Sequence, residues 1–123
     1  DQSRLHQALL NLLSNAIDAE PEGGEVRVST RQITTEEGQP AVAISVFNPN
    51  SHIPKSEIEH IFKPFYTLKP QGTGLGLAIC QTIVEEHNGT IEVVSDPHTG
   101  TKFILILPAR TPSRVVDSEG MTQ

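Results

Sequence analysis

A chain of 123 residues suits one domain around one core, and its 36% hydrophobic and 20% charged residues are the composition of an ordinary globular protein. The formal charge of −6 excludes nonspecific nucleic-acid binding, which draws its affinity from many lysines and arginines, so any anionic ligand has to be held locally. Cys80 is the single cysteine, which excludes an internal disulfide framework and a thiolate zinc cluster and fits a reducing, cytoplasmic compartment.

From Gln2 to Glu20, the residues Leu5, Leu9, Leu12, Leu13 and Ala16 recur every three or four positions, the spacing of one helical face, and Pro21, Gly23 and Gly24 stop it. Two strands follow: Glu25 to Ile33, alternating through Val26, Val28 and Ile33, and Ala41 to Asn48, alternating through Val42, Ile44 and Val46. Glu36 to Gln39 forms the turn between them. Asn48 to Pro54 reads as loop, because two prolines and two asparagines favour turns.

A short helix is predicted from Ser56 to Phe62, then an irregular segment from Lys63 to Thr73, then a second long helix from Gly74 to His87, with Asn88 and Gly89 fitted to end it. Thr90 to Ser95 and Lys102 to Leu107 form a last strand pair joined through Pro97 and Gly100. Ala109 to Gln123 is polar and aperiodic and reads as a mobile tail. No apolar run reaches the roughly 18 to 20 residues needed to cross a bilayer, so this domain makes no membrane contact of its own, although a start directly in a helical pattern is that of a fragment of a larger, even membrane-anchored, parent. The element order predicts a two-layer α/β sandwich: a mixed, mostly antiparallel sheet covered on one face by helices.

Two groups of residues carry chemistry. On the first helix Asn11 and Asn15 lie roughly 40° apart at about 100° per residue, with Asp18 close beside them and Arg4 and Gln7 extending the stripe. A solvated polar face is the ordinary reading of such a stripe. Asparagine is nevertheless a mediocre helix former, and two in mid-helix point to a use, since an amide oxygen can ligate a hard cation such as Mg²⁺. The second group is Gly72, Thr73, Gly74, Leu75, Gly76 and Leu77, three alternate glycines where the second long helix begins. They serve either a tight turn and close packing or a phosphate approached by free backbone N–H groups, with Lys69 upstream as countercharge. This is neither a Walker loop nor a dinucleotide fingerprint.

Taken in order, Asn11 to Ala16, Phe62 to Phe65 and Gly72 to Leu77 resemble the asparagine, phenylalanine and second glycine boxes of sensor histidine kinases, whose catalytic domains have the Bergerat-type ATP-binding fold also found in gyrase-type and Hsp90-type ATPases. The resemblance extends through His87, Asn88, Gly89, Gly100 and Thr101 to Pro108, so it covers residues 1–108 and leaves 109–123 outside. It implies ATP and Mg²⁺ as cofactors, with Asn15 ligating Mg²⁺ and Asn11 lining the phosphate side. At the position of Asn11 the related ATPases carry a glutamate that activates water; an amide cannot take that proton, so phosphate is kept for a histidine. Phe62 and Phe65 would anchor a short lid from Tyr66 to Gln71, Lys69 would meet the terminal phosphates as a catalytic residue, and the glycine box and Thr101 would line the nucleotide. The implied partners are the chain's own dimerisation and phosphoacceptor domain, which carries the histidine, and a downstream response regulator.

One signature differs. The family's first glycine box reads Asp-x-Gly-x-Gly and its aspartate accepts a hydrogen bond from the adenine amino group, whereas Asn48, Asn50 and His52 stand at those positions here, followed by Ile53. Asn48 keeps an acceptor oxygen but loses the charge assistance. The imidazole of His52 adds bulk that could protrude into the base pocket. Two expectations therefore compete: a kinase domain with a modified base pocket, and a degenerate domain that docks or regulates with little nucleotide binding. The five histidines show no metal-ligand spacing, and none reads as the phosphoacceptor.

Overall fold

The computed structural model describes residues 2–20, 23–64 and 76–109. Helix α1 (Gln2–Ala19) leads into strands β1 (Arg27–Thr34) and β2 (Pro40–Asn48), followed by the short helix α2 (Lys55–Ile58), helix α3 (Gly76–Glu86), and strands β3 (Thr90–Asp96) and β4 (Gly100–Pro108). The four strands form one sheet in the order β1-β2-β4-β3, and each of the three pairings is antiparallel. The mixed character allowed by the sequence is therefore not present among the described strands.

Both long helices cover one face of the sheet. On α1 the positions Ala8, Leu12 and Ala16, four apart, are buried, and on α3 so are Cys80, Ile83 and Val84. They meet the inward row Val46, Phe103 and Val93 and the next row Ile44, Leu105 and Ile91, whose members are register partners across β2, β4 and β3. Burying these side chains supplies the main driving force, at roughly 25 cal/mol per Å² of apolar surface removed from water.

Strand β1 departs from its expected alternation. Ile33 has the opposite parity to Val26 and Val28 and so falls on the other face, while Val28, although opposite Val46, is 51% exposed because β1 is an edge strand beyond the reach of the helices. The short helix is also briefer than predicted: α2 ends at Ile58, and the chain continues to Lys63 in turns closed by His60 N–H to Glu57 O and Lys63 N–H to His60 O. Lys63 precedes Pro64, which disfavours the helical backbone there.

The end of α3 follows its sequence signal. Asn88 takes φ +62°, its N–H bonds Glu85 O, and the Gly89 N–H bonds Val84 O at 2.9 Å, the paired bonds of a Schellman ending. A Cβ on Gly89 would lie 2.5 Å from Ile106 O, so only glycine lets the chain turn this closely onto β4. The relative direction of the helices is marked by Arg4, in the first turn of α1, whose guanidinium donates two hydrogen bonds (2.7 and 3.1 Å) to Glu86, the last residue of α3. The two helices pack along one another from that end, so they run antiparallel. Eleven residues of α3 rise about 16 Å, which brings its N-terminus at Gly76 alongside the later turns of α1, near Asn15.

Cys80 is fully buried in α3, and burial pushes its thiol up to about 11. Its thiolate form is therefore disfavoured in the native state. In the folded protein Cys80 should resist alkylation at pH 8 and react at the rate of a free thiol once denaturant is added; equal rates in both conditions would contradict the burial. Because the folded pKa is raised, this stabilisation is whole below the ordinary thiol range and declines as pH rises toward about 11.

Candidate functional site

The apolar rows of the sheet's inner face give way, at one end, to a polar row. Asn48 on β2, Thr101 on β4 and Ser95 on β3 are successive register partners, and Asn48 and Thr101 are each only 1% exposed. Buried polar groups are costly unless bonded, so their partners describe how the site is built.

The Ile53 N–H donates to Ser95 Oγ at 2.8 Å, and Thr101 Oγ1 donates to Ser51 O at 3.0 Å. The two hydroxyls lie 2.7 Å apart. Each hydroxyl has one hydrogen, and that of Thr101 is committed to Ser51, so Ser95 is the donor between them. The order is fixed: Ile53 N–H to Ser95, Ser95 to Thr101, Thr101 to Ser51. This relay fastens the 51–53 loop to the ends of β3 and β4.

A second set of bonds ties the start of the same loop to α1. The Asn48 Nδ2 group donates to Ala16 O at 2.8 Å and to Glu20 Oε2 at 3.0 Å. Glu20 also accepts the Asn50 backbone N–H at 3.2 Å and, through Oε1, the Asn50 side-chain N–H at 3.2 Å. Both hydrogens of the Asn48 amide are thus used, and its Oδ1 meets no donor among the described residues. Gly100, at φ +110°, passes so close that a Cβ there would strike Asn48 O and lie 2.7 Å from Pro49 Cα.

The residues expected to bind nucleotide stand as follows. Asn11 and Asn15 are half-buried on α1, and neither side-chain amide has a hydrogen-bond partner among the described residues; Asp18 is exposed. Gly76 opens α3, and a Cβ added there would meet nothing within 4 Å, so packing among the described residues does not require glycine. Leu77 and Phe62 pack against the core, Phe62 edge-on to Phe103 with ring centroids 6.3 Å apart. His52 is exposed while its neighbour Ile53 is buried. Phe65, Lys69, Gly72, Thr73, Gly74 and Leu75, the lid from Tyr66 to Gln71 and the tail beyond Ala109 lie outside the described residues.

Glu20 and Ser95 are absent from the sequence-derived set. A signal for Glu20 existed: an acidic side chain one turn after Ala16, in a chain that lacks the carboxylate expected at position 48.

Comparisons with known proteins agree with this geometry. The family model described as "Histidine kinase-, DNA gyrase B-, and HSP90-like ATPase" matches residues 1–111. Sporulation kinase C of Bacillus subtilis is 36% identical over 113 residues, covering 92% of this chain and 25% of that protein. Sensor histidine kinase ZraS of Escherichia coli K12 is 44% identical over 108 residues, covering 88% of this chain and 22% of that protein. The chain thus spans about a quarter of the length of the curated relatives it matches. Among solved structures, the catalytic domain of histidine kinase ThkA superposes with a TM-score of 0.75 at 40% identity, covering 88% of this chain and 68% of that one. With the helix-backed sheet, the paired asparagines of α1 and the polar row of the sheet, these matches place the chain in the histidine kinase-, DNA gyrase B- and HSP90-like ATPase family, among the ATP-binding catalytic domains of histidine kinases.

Proposed function

We propose that this chain binds Mg-ATP between α1 and the start of α3 and presents the terminal phosphate to a histidine on a dimerisation and phosphoacceptor domain, from which a response regulator would draw it. The observation that carries the reading is the pair of half-buried amides, Asn11 and Asn15, which lie one turn apart on α1 and meet no partner among the described residues. An idle pair would lower helix stability without return.

The donor set fits the cofactors. The Asn15 amide oxygen is a hard ligand of the kind Mg²⁺ takes singly, leaving its other positions to water and phosphate. When bound, the cation supplies charge neutralisation for the phosphates. Asn11 orients the phosphate side and, being an amide, does not deprotonate a water, so the site spares the nucleotide from hydrolysis. Asn48 Oδ1 is the acceptor left for the adenine amino group, and the relay through Ser95 and Thr101 holds its loop in place. By the resemblance drawn from the sequence, Lys69 and the Gly72 to Gly76 box complete the phosphate end.

Calorimetry with Mg-ATP is expected to show one site per chain, and saturation at a hundredfold excess over Kd to stabilise the fold by about 2.7 kcal/mol. A histidine-bearing dimerisation hairpin supplied in trans should then become phosphorylated, while the chain alone labels itself weakly. Absence of both heat and thermal shift at millimolar nucleotide would remove this reading.

A further inference from the structure

We propose that Glu20 is the specificity-determining residue of the base end of this site, selecting a 6-amino purine over a 6-oxo purine by fixing which way the Asn48 amide points. The inference rests on the proposed function in one respect: that the loop from Asn48 to Ile53 receives the base. Its physical content comes from the bonds around Asn48.

A carboxamide is ambiguous as a recognition element, because exchanging its oxygen and nitrogen turns an acceptor into a donor at little steric cost. An aspartate carries no such ambiguity. In this chain the ambiguity is removed by surroundings. Asn48 is 1% exposed, and its Nδ2 lies 2.8 Å from Ala16 O and 3.0 Å from Glu20 Oε2. A backbone carbonyl and a carboxylate both only accept. Rotating the amide by half a turn would set its oxygen against both and lose two hydrogen bonds, one of them charge-assisted.

The consequence is directional. With both Nδ2 hydrogens committed, Oδ1 is the buried atom left without a described donor, and a buried acceptor of this kind is costly until a donor reaches it. The exocyclic amino group of a 6-amino purine brings that donor. A 6-oxo purine brings a second acceptor to the same place and is repelled. Glu20 is held for this task as well as holding: its carboxylate also accepts both the backbone and side-chain N–H of Asn50, so three donors from the loop converge on it.

Ala16 O is a main-chain atom and persists in any variant. Residue 20 is therefore the part of the lock that substitution can test. Glutamine at 20 can still place an oxygen against Asn48 Nδ2, with Asn50 turning its exposed amide to accept from the new NH2. Lysine at 20 presents only donors and rewards the flipped amide.

The experiment measures Mg-ATP and Mg-inosine triphosphate binding by calorimetry to the wild type, Glu20→Gln, Glu20→Lys and Glu20→Ala. The two nucleotides share the triphosphate and ribose and differ at the purine 6-position, so the ratio of their Kd values cancels any effect of the variants on the phosphate end. The wild type should prefer ATP by at least about tenfold, as expected where a site built for a hydrogen bond meets a mismatched group. Glu20→Gln should keep that preference to within about twofold, Glu20→Ala should weaken it severalfold, and Glu20→Lys should abolish or invert it.

Equal binding of the two nucleotides by the wild type overturns the proposal and leaves the nucleotide-binding function standing. So does an unchanged ratio in both Glu20→Ala and Glu20→Lys, whatever happens to the absolute affinities. Should the lysine variant not fold, the alanine variant alone decides. Failure of the wild type to bind either nucleotide sinks the proposed function, and this inference with it.

Discussion

Replacement of Gly100 by alanine should destabilise the protein by about 3–5 kcal/mol and erase nucleotide binding. Two costs add at this position. A φ of +110° is a backbone conformation that residues with a Cβ reach only under strain, on the order of 1–3 kcal/mol. The new methyl would also press on Asn48 O and on Pro49, 2.7 Å from its Cα and 2.9 Å from its O. These are main-chain atoms, so no rotamer change relieves the contact, and overpacking of this kind costs about 1–3 kcal/mol more. For a domain of this size the sum lowers Tm by more than about 10 °C.

Relief requires the 48–49 segment to move away from β4, which drags Asn48 from Ala16 and Glu20 and opens the relay through Thr101. Gly76→Ala is the matched control, since among the described residues its Cβ meets nothing within 4 Å, and its Tm should stay within about 2 °C of the parent. Thermal unfolding followed by circular dichroism separates the two. A Gly100→Ala protein as stable as the Gly76→Ala control would mean that the base-end loop is not packed as described.

The contrast between these two glycines shows where sequence reading reaches its limit. Both stand in motifs legible by spacing, but nothing in the sequence says that Gly100 is closed in by Asn48 and Pro49, about fifty residues away in the chain, while a Cβ at Gly76 would meet no atom of the described residues within 4 Å. Local signals transferred well: the three- and four-residue spacing of Leu5, Leu9, Leu12, Leu13 and Ala16 predicted α1, and Asn88 with Gly89 predicted the end of α3, because helix faces and caps are set by neighbours in sequence. Strand β1 was legible as an element but not in its burial, since whether Val28 is covered depends on sheet order. The same holds for strand direction. The long connection from β2 to β3 permits a parallel neighbour, and only the insertion of β4 between them makes every pairing antiparallel.

The site divides along the same line. Asn11, Asn15 and Asn48 were visible as residues of the wrong kind for their local setting: asparagine in mid-helix, and asparagine where related chains carry aspartate. Glu20 and Ser95 were harder to see, because a serine in a strand satisfies every local rule and a glutamate one turn after Ala16 signals a role only when the missing carboxylate at position 48 is considered with it. Their roles arise from hydrogen bonds spanning 28 and 42 residues of sequence. Read alone, the departure at Asn48 leaves a modified base pocket and a degenerate domain in competition. With Glu20 beside it, the row keeps one carboxylate at the proposed base end, supplied by the residue that follows α1 instead of by the loop.

Asn15→Ala should separate function from stability by moving them in opposite directions. Alanine is the better helix former by a few tenths of a kcal/mol, and the Asn15 amide makes no described hydrogen bond that the change would lose, so nucleotide-free protein should melt at the same temperature or slightly higher. If the amide is the cation ligand proposed, the variant forfeits a direct Mg²⁺ contact, and charge stabilisation of several kcal/mol corresponds to at least about a hundredfold fall in phosphotransfer to a hairpin supplied in trans. ATP affinity measured in chelator should match the parent, because the base end is untouched, while the gain on adding Mg²⁺ should largely disappear. A structural role predicts the reverse pattern, with Tm falling and the metal dependence kept. That outcome would move the cation to another ligand, and with it the claim that the asparagine face of α1 is the floor of the phosphate site.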